Sequence, residues 1–147
     1  MSVKRYTVDQ VNVDGFEVFI LQDTKEQTAA KIIPKLGNNC YSFTQTVGKE
    51  SIDIIEPPPD LKTLAQRPSS YGNPVLFPFP NRIRQGKFSF EDKSYTFDKP
   101  SDSPNSIHGL VIDQPFYVES ASTDDGAIIV CSLNSADYPH IERQFPF

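Results

Sequence analysis

Two separated groups of residues have side chains suited to acid or sugar chemistry. The first is Asn81 with Arg82, and the second is His108 with Gly109. An arginine presents fixed parallel donors that match a carboxylate or two neighbouring hydroxyls, and a histidine titrates near neutral pH. Together they favour a site for a small sugar or acid.

The elements that must position these residues are predicted β-strands. Short runs rich in aromatic and β-branched residues, partly alternating with polar ones, are typical of half-buried strands. Turn residues separate the runs, which predicts a meander of antiparallel hairpins. The predicted strands cover residues 16–21, 29–33 and 40–45, with a further hairpin formed by 86–90 and 94–97. The predicted fold class is therefore all-β.

One short helix is predicted, over residues 61–66. Asp60 is a suitable N-cap, because its side chain can accept a hydrogen bond from a free backbone N–H of the first turn. The pair Arg67-Pro68 ends the segment, since the residue before a proline avoids the helical region. A helix of this length cannot support an α/β fold.

A proline-rich stretch, residues 57–80, precedes the arginine. Disordered stretches are poor in aromatic and aliphatic residues, and here such residues alternate with the prolines, so we predict an ordered loop. Tyr71, Phe77 and Phe79 suit stacking against the apolar face of a sugar, although core packing is the more frequent use of such aromatics.

Length and charge limit the function classes. The chain has 147 residues, which predicts one domain over 1–147, and a net charge of −5, which argues against nucleic acid as a partner. No apolar run approaches membrane-spanning length and the first residues do not resemble a signal peptide, so we expect no membrane partner and a cytoplasmic location. Cys40 and Cys131 match no metal or redox spacing, and we interpret them as reduced, half-buried thiols.

The order of the motifs resembles the aldose 1-epimerase (galactose mutarotase) family. The resemblance covers residues 73–88, then Tyr95, then His108-Gly109, while Phe97 stands where the family has leucine. The Pro-Phe-Pro before Asn81 indicates a divergent branch. The resemblance implies a large antiparallel β-sandwich that binds a hexose or hexose phosphate in an open cleft and interconverts its α and β anomers. It implies no cofactor and no metal.

The resemblance also assigns roles to individual residues. Asn81 and Arg82 match the pair that places the substrate. His108 matches the earlier of two family histidines, which also helps to place the sugar, and it is the one candidate catalytic residue of this chain. The family's acid histidine and base glutamate have no match here, and we expect His140 to be a loop residue. The chain ends at Phe147, where another strand is expected, so we predict the N-terminal half of the sandwich, inactive alone.

Alternatives remain beside this interpretation. A surface salt bridge is the commoner use of an arginine such as Arg82, and a turn is the commoner position of a histidine before glycine. Arg67 and Arg84 suit a sugar phosphate, Arg84 only if the strand containing Arg82 continues through it. A non-catalytic carbohydrate-binding β-domain is the alternative function. Open strand edges of an incomplete sandwich further predict an oligomer or a swapped assembly.

Overall fold

The computed structural model describes residues 4–146, and the chain divides into two compact units. Unit 1 consists of Met1–Val75 and Ile112–Ser132, and unit 2 consists of Leu76–Val111 and Leu133–Phe147. In chain order the strands are β1 Tyr6–Val13, β2 Phe16–Asp23, β3 Thr28–Ile33, β4 Asn39–Val47, β5 Glu50–Ile55, β6 Arg82–Ile83, β7 Lys87–Phe90, β8 Lys93–Thr96, β9 Ser106–Ile107, β10 Tyr117–Ser122 and β11 Ile128–Ser132.

Unit 1 is built on an antiparallel sheet in which β1 to β5 follow one another in space as in sequence. The three strands predicted near the N-terminus are confirmed, as is the meander. A buried cluster containing Val18, Ile33 and Tyr41 packs on this sheet. Strands β10 and β11 form a separate antiparallel hairpin in the same unit.

Helix α1, Leu61–Gln66, confirms the predicted short helix. The Asp60 carboxylate accepts a hydrogen bond of 2.7 Å from the Thr63 N–H, and this bond lowers the pKa of Asp60. Leu61 and Leu64, three residues apart and thus on one face, are buried in the unit 1 core. The cap and the apolar face together explain why six residues form a helix here.

Unit 2 contains two short antiparallel pairs, β6 with β9 and β7 with β8. The second pair confirms the hairpin predicted between residues 86 and 97. Its aromatic side chains build the local core, in which Phe97 is 2% exposed. The ring centroid of Phe97 lies 5.4 Å from that of Phe88 and 4.8 Å from that of Phe79. Phe79 therefore serves packing.

A second helix, α2 Pro139–Gln144, makes the loop prediction for His140 wrong. Proline is favourable at the first helical position, where no backbone donor is needed. The buried Gln144 side chain accepts from the Asp98 N–H and donates to the His140 carbonyl oxygen at 2.8 Å. The bond to Asp98 attaches the helix to the rest of unit 2, the 2.7 Å Arg143–Asp98 ion pair lies at the surface, and His140 is exposed.

The described elements are mostly antiparallel strands, so the all-β class is confirmed. Neither helix among residues 4–146 has the length or hydropathy of a membrane span. Cys40 and Cys131 are free and half-buried, as predicted, and burial raises the pKa of both thiols. The rise favours the protonated, unreactive thiol.

Candidate active site

The pairing of β6 with β9 brings together residues that are far apart in sequence. Arg82 pairs with Ile107, which places Asn81 beside His108 at one end of this two-residue ladder. The Asn81 N–H donates to Nδ1 of His108 at 3.2 Å, and the His108 N–H donates to the Asn81 carbonyl oxygen at 2.9 Å. The structure thus joins the two motifs that the sequence showed separately.

Both of these residues have left-handed backbone conformations. The φ angle is 58° at Asn81 and 63° at His108. Asparagine tolerates this region. For most other residues the left-handed conformation costs free energy, and such strained residues occur disproportionately at functional sites. Two reciprocal hydrogen bonds join the residues in this conformation and offset part of that cost.

The bond from Asn81 determines the tautomer of His108. A ring nitrogen that accepts a hydrogen bond carries no proton, so the proton of the neutral imidazole is on Nε2. Nε2 is therefore a donor, suited to a hydroxyl or a developing oxyanion. A proton added at Nδ1 would remove the bond from Asn81. His108 is half-buried, which suits a group held in one orientation.

Arg82 is exposed and has no acidic partner among the described residues. Its Nη1 donates to the Asn81 side-chain oxygen at 3.1 Å, and no carboxylate of residues 4–146 lies within salt-bridge distance of it. A neutral amide orients the guanidinium without neutralising it. The structure therefore disagrees with the salt-bridge interpretation and leaves the charge and further N–H groups available to a ligand.

A close backbone contact fixes the residue after the histidine. Gly109 has φ 78°, and a side chain there would overlap the carbonyl group of Phe77. The same Phe77 oxygen accepts a hydrogen bond of 2.7 Å from the Leu110 N–H. Glycine is needed here for its left-handed backbone and for this approach. The segment before Asn81 is thereby held against the segment after His108.

Of the three aromatic residues proposed for stacking, Phe77 is the exposed one. Its side chain is 47% exposed and meets Phe145 edge to face, with 5.6 Å between ring centroids. Phe79 packs on Phe97, and Tyr71 packs against the unit 1 core. Phe77 is thus the aromatic side chain that combines exposure with backbone contact to the His108 segment.

The other two candidate cations, Arg84 and Arg67, lie outside strand β6. Arg84 begins a 3₁₀ turn, Arg84–Gly86, in which Gln85 has φ 55°, so the strand does not continue through it. The condition that would place Arg84 on the face of Arg82 is not met. Arg67 ends helix α1 in unit 1, where its N–H donates to carbonyl oxygens of the last turn.

Asn105 is a residue of this region that sequence reasoning missed. Its side-chain oxygen accepts a hydrogen bond of 3.2 Å from the Gln85 N–H, at the other end of the β6–β9 ladder. The sequence offered one signal, the Ser103-Pro104-Asn105 turn pattern, because serine and asparagine side chains bind neighbouring backbone groups. That signal did not reveal which distant backbone group Asn105 contacts.

The comparison with protein families agrees with the motifs. The sequence model of the aldose 1-epimerase family matches residues 20–146, most of the chain. The chain belongs to the aldose 1-epimerase family. The match extends well beyond the motifs around Asn81 and His108 on which the resemblance was based.

Solved structures show the same relationship. A galactose mutarotase-like protein from Clostridium acetobutylicum is 25% identical, with a TM-score of 0.82 over 98% of this chain and 43% of its own length. The Slr1438 protein of Synechocystis sp. PCC 6803 is 22% identical, with a TM-score of 0.60 over 100% of this chain and 43% of its own. These similarities confirm the predicted mutarotase-like antiparallel β-sandwich fold.

A more distant structure extends the comparison. The galactose 1-epimerase of Lactobacillus acidophilus NCFM is 15% identical, with a TM-score of 0.55 over 80% of this chain and 36% of its own length. The chain therefore spans less than half the length of each of these three proteins.

Proposed function

We propose that this chain carries the substrate-placing half of an aldose 1-epimerase, which interconverts the α and β anomers of a hexose or hexose phosphate. The observation that supports this most is the Asn81–His108 pairing beside an arginine without an acidic partner in the described chain. In a member of the aldose 1-epimerase family, such a group is suited to the oxygen atoms of a pyranose.

The reaction needs two proton transfers. A general base takes the proton of the anomeric hydroxyl, while a general acid protonates the ring oxygen, so that the bond from C1 to the ring oxygen breaks. The aldehyde at C1 then rotates, and the reverse transfers close the ring on its other face. In this proposal both proton-transfer groups lie in the part of a longer protein that this chain does not contain.

His108 and Arg82 bind rather than exchange protons in this scheme. The Nε2–H tautomer of His108 donates to a sugar oxygen. If it transferred that proton, it would leave an imidazolate, so hydrogen-bond donation is the role that its chemistry favours. The Arg82 fork spans two neighbouring hydroxyls or the phosphate of a sugar phosphate. Asn81 holds both groups in place.

Phe77 completes the proposed binding surface. One face of a pyranose is formed largely by C–H groups, and such a face packs well on an exposed aromatic ring. Phe77 is the exposed aromatic residue beside Gly109, whereas Phe79 is used in packing. Arg82 and His108 would then bind the hydroxyl edge of the same sugar.

We further propose that residues 1–147 are the N-terminal portion of a larger mutarotase-like domain, located in the cytoplasm, and that the chain alone self-associates. The match to 43% of the Clostridium protein supports the first part. The β10–β11 hairpin supports self-association, since Tyr117, Ile128 and Val130 are exposed and the described chain pairs no third strand with it. Two-stranded hairpins are marginally stable alone.

NMR measurements on D-galactose and D-glucose 6-phosphate test the function. In saturation-transfer spectra, residues 1–147 are expected to bind the sugar saturably. They should not raise the rate of anomer exchange above background. A longer form with the family's acid and base should raise that rate. Arg82→Ala should weaken binding about tenfold or more, since charge-assisted bonds contribute roughly 1.5–3 kcal/mol. Phe77→Ala should weaken it several-fold, and the exposed Phe90→Ala serves as control.

Three outcomes separate the possibilities. No saturable binding by residues 1–147, or equal binding by the Arg82→Ala variant, would contradict the proposed site. Binding by a longer form that never accelerates anomer exchange would identify a non-catalytic carbohydrate-binding domain instead. Exchange catalysed by residues 1–147 alone would show that the proton-transfer groups are present in this chain.

A further inference from the structure

The β6–β9 ladder is too short to fix its own geometry. It consists of two residue pairs, Arg82 with Ile107 and Ile83 with Ser106. Short two-stranded pairs are marginally stable in water, so other contacts must keep the two segments in register. The orientation of Arg82 relative to His108 therefore depends on what holds the two ends of the ladder.

Each end of the ladder is closed by a hydrogen bond from a backbone N–H to a side chain. At the first end the Asn81 N–H donates to His108, and at the second the Gln85 N–H donates to Oδ1 of Asn105 at 3.2 Å. In both bonds the donor residue has a left-handed φ, 58° at Asn81 and 55° at Gln85. At each end a left-handed residue thus donates its N–H to a side chain, an imidazole nitrogen at one end and an amide oxygen at the other.

The Asn105 acceptor is itself held in place. The Ser103 hydroxyl donates to the Asn105 carbonyl oxygen at 2.9 Å, and the Asn105 N–H donates back to the same hydroxyl at 3.1 Å. Asn105 is half-buried, and the next residue, Ser106, is buried within the ladder. These contacts hold the Asn105 backbone where its side-chain oxygen reaches the Gln85 N–H.

We propose that Asn105 is a positioning residue for the sugar site, acting through the β6–β9 ladder to keep His108 in the Nε2–H tautomer and Arg82 at its place. The role in sugar binding rests on the proposed function, whereas the hydrogen bonds at the two ends of the ladder do not depend on it. Without the Oδ1 acceptor, Gln85 loses the bond that holds its left-handed turn. The ladder then loosens from that end, and the bond from Asn81 to Nδ1 weakens.

The tautomer of His108 is the direct readout. The chain has two histidines, so long-range ¹H–¹⁵N correlation spectra resolve both rings, and His140→Gln assigns them. His108 of the unsubstituted chain is expected to show one protonated nitrogen, Nε2, at a pH where the ring is neutral. Asn105→Ala should move the two ¹⁵N shifts toward each other, as a tautomer mixture does, and weaken D-galactose binding about five-fold.

Two variants separate positioning from general destabilisation. Asn105→Asp keeps an acceptor oxygen at the same reach and should retain the single tautomer. Asn134→Ala removes a comparable local bond, 3.1 Å from the Ala136 N–H to the Asn134 oxygen, elsewhere in unit 2. It should leave His108 unchanged. If Asn105→Ala does not fold, Asn105→Ser, whose hydroxyl is too short to reach Gln85, takes its place.

The outcomes are distinct from those of the function test. A single Nε2–H tautomer in the Asn105→Ala or Asn105→Ser variant, with unchanged D-galactose binding, would overturn the inference. A tautomer shift in a chain that binds neither D-galactose nor D-glucose 6-phosphate would support the structural role of Asn105 and contradict the proposed function. Equal tautomer shifts in the Asn105 and Asn134 variants would show general loosening of unit 2 and overturn the inference.

Discussion

Replacing Gly109 by alanine tests how tightly the Phe77 segment is held against the His108 segment. Two costs are expected. A left-handed alanine costs about 1–2 kcal/mol. In addition, the new methyl group overlaps the Phe77 carbonyl, which must move and weaken its bond from the Leu110 N–H, worth roughly 0.5–1.5 kcal/mol. The sum is about 1.5–3.5 kcal/mol of unfolding free energy.

Two other glycines provide matched controls. Gly48 has φ 67° and Gly15 has φ 89°, values that bracket the 78° of Gly109, and an added Cβ at either would meet no atom within 4 Å. Alanine at these positions therefore measures the backbone cost alone, about 1–2 kcal/mol. The excess at Gly109 then isolates the contact with Phe77.

Urea unfolding and amide exchange make the measurement. Urea titration gives the unfolding free energy of each variant, and hydrogen exchange of the Leu110 amide reports the local bond to Phe77 directly. Gly109→Ala should lose more free energy than both controls and show faster Leu110 exchange. If Gly109→Ala costs no more than Gly48→Ala and Leu110 exchange is unchanged, the close contact does not hold the two segments together.

Two further predictions concern unit 1. The hydrogen bond from Arg5 lowers the pKa of Asp23 below its ordinary 3.8. The stabilisation of the fold by ionised Asp23 is therefore complete above pH 3.8 and is lost as the pH falls through the lower folded pKa. Urea unfolding at a series of pH values should show that Asp23→Asn lacks this loss of stability in acid. Sedimentation velocity of residues 1–147 should show a dimer or larger species. Val130→Lys on β11 should shift the distribution toward monomer, because Val130 is exposed on the hairpin. A monomer at every concentration would contradict self-association.

Local chemistry explains what could be predicted from the sequence. The strands and the hairpin at residues 86–97 follow from residue type, alternation and turn residues. Helix α1 follows from one capping bond between Asp60 and the Thr63 N–H, only three residues away. Family membership follows from the order of the motifs. Each of these signals is contained in a short stretch of sequence or in a simple order.

The incorrect and missing predictions involve bonds between distant residues. His140 was expected in a loop because of its position after the family's Tyr-Pro step, yet it lies in α2, where Gln144 bonds to Asp98, more than forty residues earlier. The partner of Asn105 likewise lies 20 residues away. Residue types indicated what these side chains can bind, but only folding determines which groups they meet.

The hydrogen bond from the Asn81 N–H to the imidazole of His108 couples the two residues energetically. Replacing Asn81 removes the side-chain acceptor for Arg82 and strains the left-handed backbone from which the N–H donates to His108. Effects of substitutions at such neighbours are not additive, and a double-mutant cycle measures their interaction free energy. Weaker sugar binding after a change at Asn81 would therefore not by itself assign that residue a contact with the sugar.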